Sequence, residues 1–165
     1  MKHLEKYPKN VVFCICFALL LVFPTSCGQA VTPDAPTQAL EFVFSRSADS
    51  SVNPEDIPAA LSPLCTEDGL AFMLENRFGW TLKTLAAQED CTLHPSEIKV
   101  SYNKTATEVQ STDFALTVTV THADGTVNEV AQHGTMQLAP KDGAILVESM
   151  WIANPDELTL AIGAN

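Results

Sequence analysis

Residues 114–121 alternate strictly. Phe114, Leu116, Val118 and Val120 are apolar, and Ala115, Thr117, Thr119 and Thr121 are small or hydroxylated. Period two sends the first set to one face of a β-strand and the second to the other, a pattern that an amphipathic helix cannot use. Ala123-Asp124-Gly125 follows, suited to a three-residue hairpin loop with Gly125 in the left-handed position. That loop sets His122 against Thr126, Val118 against Val130 and Phe114 against Gly134. Met136 and Leu138 then continue the apolar face, interrupted by Asn128 and Gln132. A two-residue Asp124-Gly125 loop would place Glu129 and His133 there instead. Burying an unpaired charge costs more than burying a neutral amide, so the three-residue register is expected.

Two further segments extend the sheet. Ile98, Val100 and Tyr102 alternate with Lys99, Ser101 and Asn103. Lys141-Asp142-Gly143 turns the chain into Ala144–Ala153, where Ile145, Leu146, Val147, Met150, Trp151 and Ile152 are apolar on both faces. A strand of that kind is expected to be central, or covered on both sides.

The preceding half reads helical. Asp34 caps a helix with Pro36 in its first turn, and Ala39, Leu40, Val43, Phe44 and Ser47 share one face. Asn53-Pro54-Glu55-Asp56 is a second start signal, kept short by Pro58 and Pro63. Thr66-Glu67-Asp68 opens a third helix with the stripe Leu70, Met73, Leu74 and Phe78, stopped by Gly79. Helices followed by an antiparallel meander predict an α+β domain, with the helices packed on one face of a curved sheet.

The order and spacing of Pro36–Ser47, Thr66–Phe78, Phe114–Gly125 and Val130–Ile152 resemble the nuclear transport factor 2-like (cystatin-like) superfamily, a layout found in many small bacterial lipoproteins. The resemblance implies a cone-shaped pocket between sheet and helices, where Asp, His and Tyr side chains serve as bases or hydrogen-bond donors. It also implies pairing of two copies through the open sheet face, here the one bearing Thr117, Thr119 and Thr121.

The first thirty residues carry an export signal. Lys2, Lys6 and Lys9 precede an uninterrupted apolar run from Val11 to Phe23. Its 13 residues are too few for the roughly 20 of a membrane-crossing helix, and suit the core of a signal peptide. Thr25-Ser26-Cys27-Gly28 then resembles the lipobox of bacterial lipoproteins, whose cysteine is diacylated and becomes the new N-terminus. Pro24 departs from that pattern, which leaves cleavage after Ala30 and plain secretion as the alternative. The expected organisation is a signal peptide over 1–26, an anchor and short linker over 27–35, and a single α+β domain over 36–165. A diacylated Cys27 would hold the protein on the extracytoplasmic face of the cell membrane, because two acyl chains anchor stably where one does not.

With Cys14 and Cys16 in the leader and Cys27 lipidated, Cys65 and Cys91 remain, either as a disulfide or as two buried thiols. No third cysteine or paired histidine stands at ligand spacing, so neither a metal nor a cofactor is expected. Beyond the leader, six Lys and Arg face 19 Asp and Glu. Scattered cations in such an acidic chain exclude a phosphate-neutralising surface, and nucleic acid with it.

No phosphate loop, nucleophile elbow or metalloprotease motif occurs. The candidates for catalysis are Glu148, which interrupts an apolar strand, Asp113 across the hairpin from Thr135, and Tyr102 on the apolar side. His122 ends a strand, His133 falls on the open face beside Ala115, and His94 precedes Pro95 in a loop. The expected role is a non-enzymatic module of the cell envelope that binds a small ligand or a protein partner. The alternative is an isomerase- or hydratase-type enzyme using the pocket.

Overall fold

Three side-chain caps set the helical half. A computed structural model describes residues 34–49 and 53–163 of the chain. The leader, Cys27 and the linker up to Pro33 lie outside the described residues. Asp34 accepts the Thr37 N–H at 3.3 Å and starts α1, Ala35–Phe44. Asn53 accepts the Glu55 N–H at 3.2 Å and opens a single 3-10 turn, Pro54–Asp56, continued by the short α2, Ile57–Leu61. Thr66 accepts the Gly69 N–H at 2.9 Å and starts α3, Glu67–Glu75. Each cap satisfies a backbone donor that has no partner inside its helix.

Two helices were not expected. α4, Thr81–Gln88, begins at Trp80, which offers no side-chain cap. α5, Pro155–Ile162, closes the domain. Helix α1 also stops at Phe44, short of Ser47. Ser45 is extended, and Arg46 exchanges two 2.9 Å backbone bonds with Leu93.

The strands are β1, Cys91–Val100; β2, Gln110–His122; β3, Val127–Lys141; and β4, Ala144–Ile152. They pair in the order β1-β2-β3-β4, every pair antiparallel. The central hairpin takes the three-residue register: Val118 opposes Val130, Phe114 opposes Gly134, and the His122 N–H donates to the Thr126 carbonyl at 2.9 Å. Asp142 and Gly143 both have positive φ (51° and 82°) in the two-residue β3–β4 loop, as a type I′ turn requires. Strand β1 starts at Cys91, well before the alternation that begins at Ile98, and carries Pro95, which an edge strand tolerates.

The expectation that β4 is central or covered on both sides is corrected. It is the edge of the sheet, and Trp151 is 61% exposed. What shields the edge is backbone. The Thr66 N–H donates to the Val147 carbonyl and the Val147 N–H to the Leu64 carbonyl, both at 3.0 Å. That short parallel contact uses groups an edge would otherwise present to another chain. Just beyond it, α3 lies so close that a Cβ on Gly69 would stand 2.2 Å from the Val147 carbonyl oxygen.

The α+β layout expected from the sequence is therefore present: among the described residues, five α-helices pack against a four-stranded curved sheet. One core fills the space between the layers. Leu40, Val43 and Phe44 of α1, Met73 of α3, and Leu158 and Ile162 of α5 meet Phe114, Val118, Val120, Met136, Leu138 and Met150 of the sheet. The opposite face, with Ala115, Ala131, His133 and Thr135, is exposed.

Candidate functional site

The three catalytic candidates do not meet. Asp113 opposes Thr135 as expected, but on the exposed face, away from the helices. Glu148 is the extra residue of a β-bulge: Val147 pairs with Leu138 and Ser149 with Gln137, leaving Glu148 without a counterpart. Tyr102 lies past the end of β1 and donates its hydroxyl to the Asp34 carboxylate. Burial and that carboxylate together push the Tyr102 pKa up, so its proton is held. Burial opposes ionisation of Asp34, but hydrogen bonds from Thr37, Tyr102 and Lys104 outweigh it and hold the carboxyl below its ordinary range. Lys104 stands 3.0 Å from Asp34. The group latches the 101–109 loop onto the start of α1. Asn103 belongs to the same loop, and its side chain accepts from the Thr105 N–H and hydroxyl in a local turn.

The disulfide alternative for Cys65 and Cys91 is not formed. Both thiols are free and buried. Cys65 bridges to β4 and Cys91 opens β1, the two opposite edges of the sheet. Three strand spacings are about 14 Å, beyond the roughly 7 Å between Cα atoms that a disulfide spans. Burial pushes the Cys65 thiol up to about 11, which makes it a poor nucleophile.

A different residue marks the candidate site. Between sheet and helices lies an apolar cavity of about 180 Å³, lined by Phe44, Phe78, Leu82, Ile152 and Leu158 with Gln132 among them. Gln132 is 1% exposed. Its Nε2 donates to the Ala131 carbonyl at 3.2 Å and to the Asn154 carbonyl at 3.4 Å. Its Oε1 is buried and accepts from nothing. Among the other polar groups of the wall, Asn76, Thr81 and Thr159 bond to nearby backbone, at Phe72, Arg77 and Asp156, and the Arg77 guanidinium stands 5.6 Å over the Trp80 ring. The Gln132 amide oxygen is thus an acceptor without a donor in an apolar chamber. Such a group costs about 1–3 kcal/mol if nothing occupies the space beside it.

Sequence pattern picked out Gln132 as an interruption of the apolar face, but not as a site. The signal was the intrusion itself; what gave it meaning was α5, whose start brings the Asn154 carbonyl to it. The same helix explains His122, which is 3% exposed with its ring Nε2 3.1 Å from the Ala161 carbonyl.

Lys83 on α4 is a second perturbed group. Its ammonium donates to the Ser45 carbonyl and stands 4.5 Å above the Phe42 ring, and burial lowers its pKa from an ordinary 10.5 to about 8. A folded value below the unfolded one means that between these pH values the unfolded chain binds more protons, so stability rises with pH. Denaturant unfolding at pH 7.5 and pH 9.5 should show that rise. Lys83→Met should be more stable than the parent at pH 7.5 and should gain less than the parent between the two pH values. The raised Cys65 and Cys91 thiols work in the opposite direction in both proteins, and equal slopes would refute the assignment.

Among the described residues no group of acids, histidines and cysteines is arranged to hold a metal, and no helix is long and apolar enough to cross a membrane.

No family model and no curated protein matches the chain. Two solved structures are similar to it. One, from Xanthomonas campestris, is described as a calcium/calmodulin dependent protein kinase II association domain. It shares 15% identity at a TM-score of 0.41, over 73% of this chain and 83% of that one. The other is a protein of unknown function from Mycobacterium tuberculosis, with 12% identity and a TM-score of 0.41, over 67% of this chain and 75% of that one. Likenesses this distant assign no role to the present chain.

Proposed function

We propose that this protein is a non-enzymatic binding module of the cell envelope, held at the membrane through a lipid on Cys27. Its ligand is a small, mainly apolar molecule that donates one hydrogen bond. The observation that carries the reading is the Gln132 amide oxygen, buried without a donor in a mainly apolar cavity whose wall also carries Arg77. Ligand pockets have this composition, apolar surface for affinity and a few polar groups for orientation. Catalysis of the isomerase or hydratase kind needs at least two convergent polar groups, and Tyr102, Asp113 and Glu148 are not among the residues lining this cavity. The apolar run from Val11 to Phe23 and the Ser26-Cys27-Gly28 sequence support the anchor.

Gln132→Leu tests the pocket. Removing an unsatisfied buried amide while keeping the volume should stabilise the fold by about 1–2 kcal/mol, at the expense of binding. Indole, a flat apolar ring with a single N–H, is a suitable probe. Millimolar indole should raise the melting temperature of the parent, as any ligand of the native state does, and leave Gln132→Leu unmoved. If Gln132→Leu melted below the parent, the amide would be a structural group. If indole protected both proteins equally, the pocket would not be its site.

A further inference from the structure

The cations of this acidic chain are not evenly spread. Of the six Lys and Arg beyond the leader, Arg46 and Lys83 line one open cleft of about 640 Å³ together with His94. The rest of its wall includes Phe42, Ser45 and Leu93, and no Asp or Glu lines it. Placement follows from the fold. The backbone bridge between Arg46 and Leu93 fixes the arginine at the edge of β1, and α4 packs on β1 to present Lys83.

Among the described residues, neither cation forms an ion pair with an acid. The ion pair found among the described residues joins Lys104 to Asp34, elsewhere on the domain. Among the described residues, the partners of Lys83 are the Ser45 carbonyl and the face of the Phe42 ring. Arg46 donates one terminal nitrogen to the Cys91 carbonyl, while its Nε is buried and donates to nothing. Glu89 and Asp90 lie close enough to bear on the Cys91 thiol along with Arg46, but neither lines the cleft. A partly buried ammonium and a guanidinium that line one cleft with no acid in its wall are what an anion would complete.

We propose that this cleft binds an oxyanion, the phosphate or carboxylate group of a small ligand, between Lys83 and Arg46. The site shares no lining residue with the Gln132 cavity, so the two readings stand or fall separately. The guanidinium supplies directional donors and the ammonium a point charge, and the His94 imidazole adds an N–H.

The test is a nitrogen–proton NMR titration of the full-length chain with sodium phosphate, against sodium chloride at matched ionic strength. The Arg46 Nε–H and the amides of Leu93 and His94 should shift and saturate with phosphate and not with chloride. Lys83→Gln should weaken that response about ten-fold or more, since a lost charge-assisted bond is worth at least that much. Its spectrum away from the cleft reports whether the variant is folded. Should Lys83→Gln fail to fold, Arg46→Lys takes its place, with the charge kept and the fork removed. A parallel titration with acetate distinguishes the head group: saturation at lower concentration than phosphate assigns a carboxylate, and the reverse a phosphate. Shifts that chloride reproduces, that never saturate, or that both variants leave intact would overturn the proposal.

Discussion

Gly134→Ala should destabilise the domain by about 3 kcal/mol or more, lowering its melting temperature by on the order of 10 °C. Gly134 sits in the middle of β3, opposite Phe114 on β2 and Ile152 on β4. A Cβ there would stand 2.0 Å from the Trp151 carbonyl oxygen and 2.7 Å from the end of the Phe114 ring. The ring can swing away. The carbonyl belongs to the neighbouring strand and cannot move without opening the β3–β4 ladder. Combining Gly134→Ala with Phe114→Leu should therefore recover only a minor part of the loss, at a cost of its own, because Phe114 is a fully buried core residue. A Gly134→Ala protein melting within about 2 °C of the parent would show that β3 and β4 are not in this register.

The other large effect belongs to Cys27 and is all-or-none. On the proposed anchoring, the parent partitions into detergent with the mass of residues 27–165 plus a diacylglycerol. Cys27→Ser keeps size and polarity but removes the thiol that accepts the lipid, so it should carry none. It should stay uncleaved at that site, and either remain tethered by its leader or leave the membrane after cutting at Ala30. Two acyl chains make the difference between stable and marginal attachment, so the fractionation should change sharply rather than by degrees. A soluble parent beginning at Val31 would show that Pro24 prevents lipidation, and the anchor would be withdrawn while the binding reading survived.

Much of the site depends on elements that local signals announce unevenly. Asn154-Pro155-Asp156-Glu157 has the same form as Asn53-Pro54-Glu55-Asp56, and a start signal that good could have located α5. Helix α4 carries no such signal, because Trp80 is no cap and its first turn has no acid. Without α4 there is no reason to bring Lys83 near Arg46, since 37 residues separate them. Without α5, Gln132 and His122 read as flaws in an apolar face, when each is a polar group answered by a carbonyl of the final segment.

What the sequence determined by itself is whatever depends on neighbours along the chain. The alternation from Phe114 to Thr121 and the left-handed residue at Gly125 allow one register of the β2–β3 hairpin without burying Glu129, and that register is the one found. Asp34, Asn53 and Thr66 cap as their side chains dictate, since each reaches a backbone donor two or three residues on. What only the tertiary structure decided is which surfaces meet. Hydropathy alone placed β4 inside the sheet, because an apolar strand gains by burial wherever it lies. The strand order leaves it at the edge, and the Leu64–Thr66 backbone covers it there by pairing with Val147 through groups that every residue carries. The separation of Cys65 from Cys91, the latch between Asp34 and Tyr102, and the unpaired Glu148 follow from the same order of strands. Contacts made by backbone, or between residues far apart in the chain, leave no periodicity to read.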